Sequence, residues 1–188
     1  MSRHFRGFAA GLPVLGFVLA LAACGGGGGG GGTPTEPPPP PPPAAAIVFT
    51  PSSAAGANSV FLASGPASTA STLFLEVRAS QVTDLYGVAF DLTYPSAQLQ
   101  FVQATPGGLL GAAGSVQAVT SGAGALIVGG THLGNVPGST GSGVIMTLQF
   151  NAIAAGEGQL SFSRNSALDS DGGLLPVTWV AGAVRVTR

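Results

Sequence analysis

The sequence predicts an all-β fold, an antiparallel β-sandwich of eight to ten short strands, and three observations carry that expectation. Apolar residues recur with a period of two, as in Leu73, Leu75, Val77 and again in Val88, Phe90, Leu92. Clusters of Gly, Pro, Asn and Asp punctuate these alternating segments at short intervals. No stretch carries the three-to-four spacing of a long amphipathic helix. The sandwich is expected over residues 46–188, preceded by an export signal peptide over 1–23 and a disordered Gly/Pro linker over 24–45.

At the N-terminus, Arg3 and Arg6 form a positive n-region and Phe8 to Ala20 an apolar h-region of signal-peptide length. That apolar stretch falls short of the roughly 20 residues a spanning helix needs. Leu21-Ala22-Ala23-Cys24 follows and resembles the lipobox of bacterial lipoproteins. The resemblance implies cleavage before Cys24, lipidation of its sulfur, and a domain tethered to the bacterial cell envelope. In a cell with two membranes it implies the outer one, facing the cell surface, because Gly25 stands where an aspartate would signal inner-membrane retention. Two or three acyl chains, each methylene contributing about 0.8 kcal/mol on burial, suffice for a lasting membrane anchor.

Gly25 to Gly32 are eight glycines, which have no side chain to pack and lose the most entropy on ordering. Pro37 to Pro43 are seven consecutive prolines, expected to form a polyproline II rod rising about 3.1 Å per residue, roughly 22 Å in all. The pair reads as a flexible leash followed by a stiff spacer, whose simplest function is reach.

Strands are expected at Thr72–Ala79, Tyr86–Tyr94, Leu99–Val102, Ala125–Gly129, Val144–Asn151, Gln159–Ser163, Val177–Val180 and Ala183–Thr187. In the second, Tyr86, Val88, Phe90, Leu92 and Tyr94 share the buried side, and Gly87, Ala89, Asp91 and Thr93 face outward. In the fifth, Val144, Met146, Leu148 and Phe150 point inward. Turns are expected at Thr105–Gly108, Asn135–Gly138, Ala155–Gly158 and Asp169–Gly173. This many short strands without internal repeats points to jelly-roll topology.

Composition narrows the function. The chain has no lysine, and downstream of Cys24 four arginines stand against seven carboxylates, a net charge of −3. So thin and slightly acidic a set excludes the phosphate contacts that nucleic-acid binding requires. With Cys24 lipidated, no cysteine remains for a disulfide or a thiol nucleophile, and stability rests on packing. His132 is the one histidine of the mature chain, in Gly129-Gly130-Thr131-His132-Leu133-Gly134, and reads as a locally hydrogen-bonded or solvated residue. Glu76 and Asp91 lie on outward strand faces and Glu157, Asp169 and Asp171 in turns, so no carboxylate pair converges as glycoside hydrolysis demands. Asp169-Ser170-Asp171-Gly172 opens like a calcium loop but lacks the later ligands, and reads as a tight turn. No metal and no cofactor is expected, and the chain reads as non-enzymatic. Trp179, Tyr86 and Tyr94 are the only Trp and Tyr residues, too few for an exposed row of rings that stacks on polysaccharide.

Leu85-Tyr86-Gly87-Val88-Ala89-Phe90-Asp91-Leu92-Thr93-Tyr94-Pro95, then Leu99-Gln100-Phe101-Val102, then Pro106-Gly107-Gly108-Leu109-Leu110, resembles the cohesin pattern. Gly143 to Phe150, Gly158 to Phe162, Asp169 to Gly172 and Val184-Arg185-Val186 follow in the family's order, so the resemblance runs from about Ile47 to Arg188. Pro95 departs from it, standing where the family usually places Asp or Asn. The resemblance implies a nine-strand jelly-roll and a non-catalytic role in holding a protein partner, a dockerin module borne by polysaccharide-degrading enzymes. The partner surface it implies is the outer side of Tyr86–Tyr94, carrying Gly87, Ala89, Asp91 and Thr93, with Asp91 pairing to a partner Lys or Arg. Carbohydrate binding is the second reading, and a structural envelope or adhesion role the third.

Overall fold

Eleven strands and one short 3-10 turn make up the computed structural model over its described residues, 44–188 without residue 113. The expected signal peptide, Cys24 and all but the last two residues of the expected Gly/Pro linker lie outside the described residues. In chain order the elements are β1 (Ala46–Pro51), β2 (Ser59–Ser64), β3 (Thr72–Leu85), β4 (Gly87–Thr93) and β5 (Leu99–Pro106). The 3-10 turn Gly108–Leu110 follows, then β6 (Gly114–Gly122), β7 (Ala125–His132), β8 (Ser139–Ala152), β9 (Gly156–Leu168), β10 (Thr178–Val180) and β11 (Gly182–Thr187).

The strands form two sheets, one ordered β1-β11-β9-β4-β7-β6 and the other β10-β2-β3-β8-β5. Neighbours run antiparallel, except that β10 lies parallel to β2 over three residues. The expected sandwich is therefore present. The resemblance implies nine strands, and the count rises to eleven where the chain crosses between sheets. Residues 46–64 give β1 to one sheet and β2 to the other, and residues 178–187 do the same with β11 and β10. The second crossing needs a single linking residue, Ala181, so both terminal segments stitch the two sheets together along one side of the sandwich.

Alternation decides which side of each strand enters the core. Leu73, Leu75, Val77 and Ala79 of β3 are buried, as are Val88, Phe90 and Leu92 of β4 and Met146, Leu148 and Phe150 of β8. Phe150 sits among Tyr94 and Phe101, with ring centroids 5.1 and 5.6 Å away. Phe90 meets Phe162 edge-on at 5.0 Å and lies 5.7 Å from Trp179.

Where alternation lapses, a bulge accounts for it. The register of β3 on β8 shifts between Val77 and Arg78, so Ile145 and Met146 are both buried and Val144, expected inward, is only half-buried. β3 does not end at Ala79 but continues to Leu85 through two further shifts, with Gln81 at φ +50° and Asp84 at φ +56°. Tyr86, expected in the core, is half-buried, and its hydroxyl donates to the carbonyl of Gly134. The Asp169–Gly173 turn forms as expected: Asp169 Oδ1 accepts from the amides of Asp171 and Gly173, at 3.1 and 2.6 Å.

Candidate functional site

β4 lies in the middle of its sheet, between β9 and β7, so its outward residues are the centre of a broad face. Ala89 and Thr93 are exposed there, and Asp91 is partly exposed. Gly87 requires a correction. It is expected on the outward side but is buried, and a Cβ at this position would stand 3.3 Å from both the Gly130 carbonyl oxygen and Thr131 Oγ1. The neighbouring strand covers it, which leaves three of the four expected residues on the surface.

Cross-strand register assembles these residues with others that local pattern does not single out. Asp91 pairs with Ser163 on β9 and with Ile127 on β7, and Ile127 pairs with Val119 on β6. The row Ser163–Asp91–Ile127–Val119 therefore crosses four strands. A second row, Ser166–Ala89–Gly129–Gln117, runs beside it. Val119 is 60% exposed and Ile127 49%, an apolar pair set among Ser, Gly, Ala and Thr. Small side chains and an aliphatic pair make a surface that a partner can approach closely.

Asp91 is not a lone carboxylate. Arg164 Nε donates to Asp91 Oδ2 at 2.6 Å, and Arg164 Nη2 donates to the same oxygen. The contact exists because β9 bulges beside it: Ala89 pairs with Ser166 and Asp91 with Ser163, so Arg164 and Asn165 together oppose Phe90. Arg164 takes φ +47°, the left-handed turn that such a bulge needs, and this re-aims its side chain across the sheet. The Arg164 side chain is 75% exposed and that of Asp91 20%, so the charge this ion pair presents to solvent is the cation.

Asp84 organises the end of the sandwich next to this face. Its Oδ1 accepts from the amide of Gly138 at 2.7 Å, and its Oδ2 accepts from the hydroxyl and the amide of Ser170, at 2.8 and 3.2 Å. One carboxylate thus ties the end of β3 to the loop after β7 and the turn after β9. The Ser170 hydroxyl first, then the two backbone amides, hold its carboxyl below the usual aspartate value.

His132 Nε2 lies 3.0 Å from Ser139 Oγ, a spacing that merits a test for nucleophilic chemistry. The Ser139 hydroxyl spends its one hydrogen on the Leu109 carbonyl. It therefore accepts from Nε2–H, and the imidazole nitrogen that faces it is a donor rather than a base. The pair is a structural bridge between β7, β8 and the 3-10 turn. Trp179 is half-buried between Phe90 and Phe162 rather than displayed. Among the described residues, no three His, Cys, Asp or Glu side chains come together as a metal-ligand set.

Val119, Ile127, Arg164 and Asp84 are the functional candidates that sequence reasoning misses. Alternation within Ala125–Gly129 does put Ile127 outward; Arg164 and Asp84 sit at bulges, where alternation gives no direction.

The comparisons with known proteins converge on one family. The cohesin domain model matches residues 63–186. The sixth cohesin from scaffoldin B of Acetivibrio cellulolyticus, solved in complex with a Cel5 dockerin, is 17% identical. Its match covers 68% of this chain and 97% of that one, with a TM-score of 0.55. A type II cohesin domain from the cellulosome of the same organism is 15% identical over 69% of this chain and 95% of its own, with a TM-score of 0.58. A non-cellulosomal cohesin from the archaeon Archaeoglobus fulgidus is 18% identical over 71% and 93%, again at 0.58. No curated protein matches the chain. With two sheets in the sandwich arrangement of these structures and a family match over most of its length, the chain belongs to the cohesin domain family.

Proposed function

We propose that this protein is a lipid-anchored, non-catalytic binding module that holds a protein partner, a dockerin-bearing enzyme of polysaccharide degradation, at the bacterial cell surface. The observation that carries the reading is the open face of β9-β4-β7-β6, where Ala89, Thr93, Ile127 and Val119 leave a nearly flat surface of small and aliphatic residues. Such a face favours protein contact, because a helix can lie against it without displacing side chains. Among the described residues it offers no exposed aromatic ring for a sugar to stack on, Trp179 being packed against Phe90 and Phe162. Family membership supports a partner of the dockerin class, since the related scaffoldin B cohesin is solved with one. The anchor on Cys24 and the Gly/Pro spacer would hold this face clear of the membrane.

The experiment is a binding titration with the dockerin modules encoded in the same genome, using the full chain in detergent micelles. Ala89→Trp adds bulk at the centre of the face without touching the core, and it should abolish docking while leaving the circular dichroism and melting curve unchanged. A partner held equally well by the folded variant would move the site off this face.

A further inference from the structure

The face carries a sign as well as a shape. We propose that its partner presents a carboxylate to Arg164, next to an aliphatic side chain seated on Val119 and Ile127. The inference deepens the docking reading above and rests on it. Its sign is opposite to the one Asp91 alone suggests. Asp91 is mostly covered, and its Oδ2 already accepts both Nε and Nη2 of Arg164. A partner lysine aimed at Asp91 would have to approach past the guanidinium of Arg164, whose side chain is 75% exposed. Like charges brought together at an interface oppose docking.

Arg164 is suited to the opposite task. A guanidinium has five N–H donors in a fixed fork, and the ion pair occupies two of them. The Nη1 hydrogens remain to meet a carboxylate. The pair with Asp91 also holds the planar group in one orientation, so less rotamer freedom is lost when a partner arrives. The backbone contributes too: the bulge at Arg164, with φ +47°, carries the side chain toward Asp91 and the centre of the face. Asp91 is the cross-strand neighbour of Ile127, which puts the cation beside the exposed Ile127–Val119 pair. A partner residue pair of one aliphatic and one acidic side chain matches both features at once.

The test uses a display library of a small three-helix scaffold with one helix face randomised, selected on the full chain in detergent micelles. Binders that use this face are recognised by their loss on Val119→Asp with Ile127→Asp, substitutions at exposed positions that leave the core intact. Among these binders Asp and Glu should outnumber Lys and Arg. Arg164→Glu should weaken them by about tenfold or more, and changing the binder's acidic residue to Arg should restore affinity for that variant. Arg164→Ala should weaken them less and rescue nothing. Face-specific binders that are rich in Lys or Arg, or indifferent to Arg164→Glu, overturn the charge assignment alone. A selection with no binder sensitive to the Val119 and Ile127 changes overturns the docking face itself, and the charge assignment with it.

Discussion

Replacing Phe90 by Ala tests the register of β4, and with it the assignment of inner and outer faces on which the docking reading depends. Phe90 is 2% exposed, meets Phe162 edge-on at 5.0 Å and lies 5.7 Å from Trp179. Truncating a core Phe costs about 3–5 kcal/mol through lost transfer energy and the cavity left behind. Two aromatic neighbours, one edge-on and one tilted, each worth about 0.5–1.5 kcal/mol beyond buried area, place this site toward the top of that range, about 4–5 kcal/mol. That is a large share of the roughly 5–15 kcal/mol that holds a typical domain folded. The adjacent residue gives the contrast. Asp91→Ala removes an ion pair whose arginine side chain is 75% exposed, a change worth less than about 1 kcal/mol. Both variants can be followed by urea titration with the fluorescence of Trp179, the chain's one tryptophan, which lies against the mutated ring. The expected result is a much lower midpoint for Phe90→Ala and a small shift for Asp91→Ala at an unchanged slope. If Asp91→Ala proves the more damaging, the strand is one residue out of register and every outward residue named here turns inward.

Three further outcomes are expected. Because the Asp84 carboxyl is held below its ordinary value in the folded chain, the stability it contributes is fully present above about pH 4, the unfolded-state value, and drains away as pH falls through the lower folded value. Asp84→Asn, which keeps a residue tolerant of φ +56°, should flatten that acid limb in denaturation curves collected between pH 2 and pH 6; an unchanged limb would remove Asp84 from the account of acid stability. Gly182→Ala puts a Cβ against the carbonyl oxygen of Thr50, where β1 docks on β11, and should cost about 1–3 kcal/mol by thermal melt, with β1 amides losing hydrogen-exchange protection. Cys24→Ser should move the protein from the membrane fraction to the periplasm or medium, or leave an uncleaved precursor; a cleaved variant that remains membrane-bound would exclude lipidation as the anchor.

Period-two alternation placed most of the core. Leu73, Leu75 and Val77, or Val88, Phe90 and Leu92, have to face one way because successive side chains of a strand point to opposite sides. The same rule put Ala89, Asp91 and Thr93 outward, and the Asn135–Gly138 and Asp169–Gly173 turns fall between strands as expected, whereas Gly156 to Gly158 open β9 and Thr105 and Pro106 end β5. Three strands escaped this reading. β6, with the sequence GSVQAVTSG, is a largely exposed edge strand, and an edge with little to bury need not alternate. β1 and β2 are six residues each and lie where the chain changes sheets, so each is defined by the strand it pairs with rather than by its own pattern. Tertiary structure decided the rest of the site. Arg164 reaches Asp91 across 73 positions, and Asp84 reaches Gly138 and Ser170 across 54 and 86. Each of these contacts starts from a bulge or a left-handed residue, whose position depends on a register between strands far apart in sequence. A local pattern reports which side of its own strand a residue occupies. It carries no information about which residue of another strand lies opposite, and that pairing is what gives this face its charge.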